Sequence, residues 1–416
     1  MTYFPRTVDA ELAELLEAAG AVLVEGPRAS GKTATAARAA ASEVLLDVDD
    51  NARRMIGADP ATVLNGDTPR LIDEWQLEPA IWNHVRREVD RRRAPGQFIL
   101  TGSAVPADDV TRHTGAGRFV RLRMRPLSLY ESGRSSGAIS LRRLLDGAEQ
   151  RAPRSEAPIA DVAELVCAGG WPGHVGRSLP GTLRANRGYL DEVRRTDVTR
   201  VSGKTRDPVK VGRLLRSLAR NVATPVTLSK LAAEVGEDGR PVKTDTVAEY
   251  LDALDRLMVV ENQPAWSPHL RSRTTLRQTP VRHFVDPSLA VAALRATPAR
   301  LTADLEFLGL LFESLVLRDL RVHAQAADAQ VFHYREKDGL EVDAVVEAAD
   351  GRWAAFEIKL GERWVDAGAR SLNRLARRME GSDQGKPSAL AVIVPTGYGY
   401  VNPGEVGVIP IGALGP

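Results

Sequence analysis

The sequence predicts an α/β protein in three parts: a parallel-sheet domain, a helical middle and a second α/β domain. Three observations predict it. Over residues 21–124 short apolar runs alternate with helical patterns, the mark of a parallel sheet with crossover helices. Over residues 209–257 three helical patterns follow one another. From 305 a long amphipathic pattern precedes a hairpin and further strand patterns. The expected boundaries are 1–132, then 133–208 as linker or helical lid, 209–300 and 301–416. A chain of 416 residues is too long for one ordinary core.

Composition narrows the function classes. Hydrophobic residues make up 43% and charged residues 26%, which argues against disorder. The formal net charge of +2 gives no overall polyelectrolyte character, so a nucleic-acid role has to rest on local clusters. One cysteine, Cys167, permits no intrachain disulfide and fits a reducing compartment. No apolar run reaches membrane-spanning length, and the acidic first twenty residues do not read as a signal peptide. The expected location is the cytoplasm, with no membrane partner.

The first domain opens with a helical pattern over 8–19, where Leu12, Leu15 and Leu16 share a face. The apolar run 21–25 is a strand that breaks into Gly26-Pro27-Arg28-Ala29-Ser30-Gly31-Lys32-Thr33, and an Ala-rich helix follows. Glycine, four residues, then Gly-Lys-Thr between strand and helix is the phosphate-binding loop (P-loop, Walker A) pattern. Its backbone N–H groups and the helix end would cradle the phosphates of ATP. Lys32 would reach the β- and γ-phosphates, and the Thr33 hydroxyl would bind Mg²⁺. Residues 43–48 read as a second strand and 70–74 as a third, ending in Asp73-Glu74. Carboxyl ends of such strands are where open sheets place ligands. Asp73 would hold the Mg²⁺ shell, and Glu74 would orient the attacking water. A charged helix over 79–93 reads as a solvated face ahead of a nucleic-acid surface. Residues 97–103 form a fourth strand, where Thr101 or Ser103 would sense the γ-phosphate or simply cap the strand. Arg118 precedes a fifth strand, 119–124, and is the candidate charge-stabilising arginine, in cis or from a neighbour in a homo-oligomer.

The series GPRASGKT, LIDEWQ, ILTGS and AGRFVRLRMRPLSLYE resembles a bacterial and archaeal group of AAA-type ATPases with a C-terminal nuclease-like domain. The resemblance continues through Gly169-Gly170-Trp171-Pro172-Gly173. It implies roles for Lys32, Thr33, Asp73, Glu74, Thr101 and Arg118.

In the middle, 133–158 is rich in Arg, Ser, Gly, Ala and Pro, so a linker or loose lid is expected, with a helical island at 140–145. His174 has no partner at metal spacing and reads as structural. Helical patterns at 209–220, 228–235 and 244–257, then a strand at 259–262, suggest a winged helix. The third helix carries Asp245, Glu249, Asp252 and Asp255, which repel phosphate, so packing or subunit contact is favoured over DNA reading. The basic wing, Arg271, Arg273 and Arg277, keeps DNA as the minority reading.

In the last domain a helix over 305–322 embeds Glu313 among apolar residues. A hairpin follows, 330–336 with 339–346, and then a strand ending Glu357-Ile358-Lys359. Period two sets Glu357 and Lys359 on one face, beside Asp343 on the neighbouring strand. Asp343 and Glu357, with Glu313, would bind Mg²⁺ or Mn²⁺ through hard oxygens, while Lys359 positions water or offsets charge. The segment resembles the PD-(D/E)XK nuclease superfamily, with Val342 in place of the pattern's proline. An exposed cross-strand pair is the plainer alternative for Glu-x-Lys. Arginines at 370, 374, 377 and 378 line a helix that would follow a phosphate backbone, and the Gly/Pro-rich tail from 395 reads as loop and edge.

The expected protein is a Mg²⁺-dependent ATPase coupled to a nuclease-like domain acting on nucleic acid, DNA ahead of RNA. The alternative is a nucleotide-dependent switch whose nuclease-like domain is inactive and docks a partner.

Overall fold

The computed structural model describes residues 3–102, 114–203, 206–237, 240–268, 279–336, 338–381 and 384–416. The chain divides into two compact units. One comprises Met1–Pro126, Thr196–Thr205 and Asp252–Val259; the other comprises Leu127–Arg195, Arg206–Leu251 and Val260–Pro416.

The first unit is built on five parallel strands: β1 (Ala21–Glu25), β2 (Ser42–Leu45), β3 (Arg70–Asp73), β4 (Phe98–Gly102) and β5 (Phe119–Arg123). Their spatial order is β2-β3-β4-β1-β5. Buried residues pack on both faces, which is why these strands read as apolar runs rather than alternations. Leu23, Phe98 and Leu100 point to one core with Trp75 and Trp82, and Val22, Val24 and Ile99 to the other with Leu12. The register aligns Glu25 with Gly102 and with Arg123, and Leu45 with Asp73. The carboxyl ends of the strands therefore form one rim.

Among the described residues the second unit holds three sheets. Two short strands, β6 (Ile139–Ser140) and β7 (Ala152–Ser155), flank the helix Leu141–Leu145. Helices Pro208–Arg220, Leu228–Val235 and Thr244–Arg256, the last belonging to this unit only as far as Leu251, fall where the periodicity placed them. Strands β8 (Thr224–Pro225), β9 (Val260–Gln263) and β10 (Val281–Phe284) form an antiparallel sheet of order β8-β10-β9. The expected wing residues Arg271, Arg273 and Arg277 lie outside the described residues. After the 22-residue helix Leu305–Ala326 come β11 (Ala329–Arg335), β12 (Glu341–Ala348) and β13 (Trp353–Ile358), the helix Val365–Met379 and β14 (Ala389–Val394). Strands β15 (Gly397–Val401), β16 (Gly407–Pro410) and β17 (Leu414–Gly415) complete the chain.

The main sheet has seven strands, ordered β11-β12-β13-β14-β16-β15-β7. Two expectations change here. The stretch expected to be a linker, 133–158, supplies β7 to the edge of this sheet and β6 to a pair with β17. Its strands are too short for a visible period. The tail expected to be loop and edge places β16 inside the sheet, parallel to β14 and fully buried. Glycine and proline at its ends broke the pattern into pieces that read as turns.

Candidate functional sites

In the first unit the loop follows from local sterics. A side chain at Gly26 would put its Cβ 2.4 Å from the Met124 carbonyl oxygen, so only glycine fits. Gly31 has φ 97° and Ala29 has φ 61°, which turn the backbone before the helix Lys32–Ala39 begins. Lys32 is only 5% exposed, and its Nζ donates to the Pro27 carbonyl at 2.9 Å. Burial pushes the Lys32 ammonium down to about 8, against the pull of Glu74 and Asp73. This is a buried cation short of counter-charge, the condition a polyphosphate would correct.

At the carboxyl rim Asp73 is the hub. Thr33 Oγ1 donates to Asp73 Oδ1 at 2.9 Å, and the Thr101 hydroxyl donates to the same oxygen. The next residue, Glu74, sits at φ 54°, a left-handed conformation that a non-glycine residue adopts only at a cost. Its N–H approaches Thr101 Oγ1 at 3.4 Å, and its carboxylate accepts from the Gln76 amide. Thr33 and Asp73 thus present adjoining hard oxygens beside the loop, a set that suits Mg²⁺, which binds through one or two protein oxygens plus substrate phosphates.

Sequence reasoning missed the supports of this loop. Arg6, 7% exposed, donates to the Ser30 carbonyl at 2.7 Å and to the Arg125 carbonyl at 2.6 Å, so one guanidinium props both the loop and the chain leaving β5. The Tyr3 hydroxyl donates to Asp9 at 2.5 Å and lies 3.1 Å from Thr35 Oγ1. Arg28 pairs with the buried Asp197 at 3.0 Å. None of these follows from spacing. Arg118, by contrast, is not brought to the loop. It directly precedes Phe119, which pairs with Ala21 at the amino ends of the strands, and its Nε bonds Asp90 at 2.8 Å. Ser103 lies outside the described residues.

A prediction follows from Lys32. The unfolded chain binds the extra proton between about pH 8 and 10.5, so the burial penalty is full below pH 8 and fades above it. At pH 8 a bound polyphosphate would favour the ammonium and draw in roughly half a proton per site. Calorimetric ADP titrations at pH 8 in buffers of different ionisation enthalpy should show this uptake, and Lys32→Arg, always protonated, should lack it. Identical enthalpies in all buffers for the wild type would refute it.

In the second unit the sheet gathers a different set. The β12–β13 register pairs Ala344 with Phe356, so one step on Asp343 faces Glu357. Between Val342 and Val345 strand β12 has two residues, Asp343 and Ala344, where β11 has one, His333, between Phe332 and Tyr334. Asp343 therefore sits in a β-bulge, a device that re-aims side chains. Asp343 Oδ2 accepts the Ile358 N–H at 2.7 Å and the Lys359 ammonium at 3.1 Å, and Lys359 also pairs with Glu357. Gly368 permits the close approach of helix Val365–Met379, since a Cβ there would lie 3.1 Å from that of Glu357.

The electrostatics are those of crowded, buried acids. Burial and then Asp343 push Glu357 up to about 8. Glu313 keeps some accessible surface, yet protein surrounds its carboxyl closely enough that burial, with Asp343, raises it well above the usual range. For Lys359 burial acts downward, but Asp343 and Glu357 outweigh it and hold the ammonium above its ordinary value. The three residues expected from sequence thus meet, with Glu313 close enough to feel their charge. Among the described residues no three His, Cys, Asp or Glu side chains converge into a ready metal cage. Two facing carboxylates of hard oxygen donors remain compatible with Mg²⁺ or Mn²⁺, which commonly complete their shells with water and substrate oxygens.

A buried relay behind this site was also not legible. Gln263 Nε2 donates to the carbonyls of Asp343 at 2.9 Å and Phe332 at 3.0 Å, across the bulge. Its Oε1 lies 3.3 Å from His283 Nε2, and His283 Nδ1 lies 2.9 Å from Ser314 Oγ, next to Glu313. The small middle sheet thereby holds both acid-bearing elements. His174, expected to be structural, has its imidazole held below its usual range by burial, and its N–H closes a turn onto Trp171.

Comparison with known proteins agrees with the geometry of the first unit. Residues 18–133 match the AAA domain family. Residues 159–300 and 308–414 each match a domain of unknown function, DUF8612 and DUF4143. Uncharacterized proteins of Mycobacterium bovis and Mycobacterium tuberculosis are each 26% identical over 358 residues, covering 85% of this chain and 73% of theirs. A Walker-type ATPase of Pyrococcus abyssi superposes with a TM-score of 0.42 at 15% identity, covering 70% of this chain and 96% of that one. With the parallel sheet and the loop, the AAA match makes the amino-terminal unit a P-loop ATPase domain.

Proposed function

We propose that the chain hydrolyses ATP in a Mg²⁺-dependent reaction and couples it to action on nucleic acid, DNA ahead of RNA, at the second acidic site. At the first site Lys32 would neutralise charge on the β- and γ-phosphates, while Thr33 and Asp73 hold Mg²⁺. Glu74 would accept a hydrogen bond from the attacking water, whose oxygen bonds phosphorus as the bond to ADP breaks. Thr101, hydrogen-bonded to Asp73 and close to the Glu74 N–H, is placed to link the metal-binding acid to the water-orienting one.

The observation that carries the second half is Lys359, whose Nζ serves Asp343 and Glu357 at once. Two carboxylates and an ammonium on adjacent strands are the groups that phosphodiester hydrolysis uses. Asp343 and Glu357, with Glu313, would hold a divalent cation, which when bound supplies an activated water. Lys359 would then offset the charge that grows on the phosphate. The element order helix, three strands, helix, strand supports a PD-(D/E)XK reading of residues 305–394. The order helix, β8, two helices, β9 and β10 supports a winged-helix reading of the middle, with an acidic third helix whose Glu249 is paired to Arg206 at 2.5 Å. That acidity favours packing over DNA contact there.

One observation favours a second reading, a switch that docks a partner without cutting. Burial and Asp343 push the Glu357 carboxyl toward its protonated form, and a protonated acid is a poor metal ligand. Incubation of single- and double-stranded DNA and RNA with Mg²⁺ or Mn²⁺ and ATP separates the two. The first reading expects cleavage that Asp343→Ala and Lys359→Ala abolish. Absence of cleavage, with nucleotide-dependent binding retained in Glu357→Ala, would establish the second.

A further inference from the structure

Five of the six tryptophans are at most 4% exposed, whereas Trp364 is 51% exposed. It lies in the short turn Glu362–Trp364, five residues beyond Lys359, with the Arg363 guanidinium 5.2 Å from its ring centre. A nearby strand is also aromatic. A Cβ at Gly397 would lie 2.8 Å from Glu362 Oε1, so the start of β15 abuts this turn. Tyr398 and Tyr400, 59% and 46% exposed, share one face of β15, and it is the face that carries the helix Val365–Met379: Gly368 of that helix abuts Val392, which pairs with Val408, which pairs with Tyr400. Tyr400 further walls an open groove of about 500 Å³ with Arg151 and Pro153.

The helix that leaves this corner, Val365–Met379, adds positive charge. Arg370, Arg374 and Arg377 are exposed on it, and Arg370 and Arg377, seven residues apart, stand on one side about 10 Å apart. Arg374 is tied to Asp338 at 2.8 Å, but Arg370 and Arg377 have no carboxylate partner among the described residues. Exposed aromatic faces beside such arginines form a surface with two chemistries, one for flat unpaired rings and one for a polyanion. Single-stranded nucleic acid carries both. A duplex carries only the second, because its bases are stacked away from any aromatic side chain.

We propose that Trp364, Tyr398 and Tyr400 stack the bases of a single strand while Arg370 and Arg377 follow its phosphates toward Asp343, Glu357 and Lys359. This rests on the reading of that site as one that acts on nucleic acid and narrows its substrate to single strands or unpaired ends. A protein partner would need a matched apolar surface, and the arginines on the same helix argue for a polyanion instead.

Fluorescence anisotropy of the full chain with a labelled single-stranded oligonucleotide and its duplex, in EDTA to prevent cleavage, tests the proposal. The wild type should prefer the single strand. Trp364→Ala should weaken single-strand binding about 5- to 100-fold with little effect on the duplex. Tyr398→Ala should act in the same direction, Trp364→Phe should restore most of the affinity, and Arg370→Gln should lower the salt slope by about one. Unchanged single-strand affinity in both Trp364→Ala and Tyr398→Ala, or a wild-type preference for duplex, would overturn the proposal and leave the nucleic-acid reading standing. No binding of either form would overturn both.

Discussion

Replacing Lys32 with alanine is expected to lower ATP turnover by about 10²- to 10³-fold or more while leaving the protein as stable as before, or more so. The first half follows from charge. Lys32 is the one lysine in the loop 26–33, and in the proposed reaction the loss of one well-placed stabilising donor costs roughly 3–4 kcal/mol in the transition state. The second half follows from burial. Lys32 gives up one hydrogen bond to Pro27 on truncation, but the fold also sheds a desolvated cation whose proton affinity burial has already reduced. Phosphate-release kinetics and thermal unfolding of the same sample check both. A variant that loses turnover together with a large drop in melting temperature would show Lys32 to be a structural residue, and the site reading would fail.

Much of this site was legible because strand order and strand ends are properties of spacing. The run 21–25, the loop after it and the acids closing 70–74 place Lys32, Thr33 and Asp73 on one rim through parallel register alone. The same rule could have located Arg118. A residue just before a parallel strand belongs at the amino edge, away from the loop, and there it sits beside Asp90. Glu357 and Lys359 on one face were legible from period two, and Asp343 beside them from the acid on the neighbouring strand, although the bulge beneath it was not, since one extra residue leaves no mark in a short apolar pattern. What spacing could not give is long-range polar support. Arg6 reaches the Ser30 carbonyl and Gln263 reaches the Asp343 carbonyl through contacts between distant segments, and neither residue type announces a partner.

Arg318→Met is expected to destabilise the second unit by about 3–5 kcal/mol, the cost of leaving buried charge without its partner. Arg318 is the opposite of Lys32, a buried cation with more counter-charge than it needs. Its guanidinium donates to Asp286 at 2.9 Å and twice to Asp319, at 2.9 and 2.7 Å, and all three residues are at most 3% exposed. Burial acts to lower its proton affinity, but Asp319 and Asp286 outweigh it and hold the group well above its ordinary range. The two acids have further duties: Asp286 accepts the N–H groups of Gly170 and Ser288, and Asp319 accepts that of Leu129. That explains the Gly-Gly-Trp turn. A Cβ at Gly169 would lie 2.4 Å from Asp286 Oδ1, and one at Gly170 would lie 2.1 Å from the Leu127 carbonyl oxygen. Arg318→Lys should recover only part of the loss, because donors radiating from a single nitrogen cannot span the two carboxylates as the planar guanidinium fork does. Hydrogen exchange of segments 127–131, 168–171 and 286–294 reads the effect directly, and protection there should fall in Arg318→Met yet stay unchanged in Lys32→Ala. A loss below about 1 kcal/mol would mean that Asp286 and Asp319 are satisfied without the guanidinium, through protonation or water. A buried cation that its surroundings over-satisfy holds a fold together, and one that they under-satisfy waits for a ligand; Arg318 and Lys32 are those two cases in one chain.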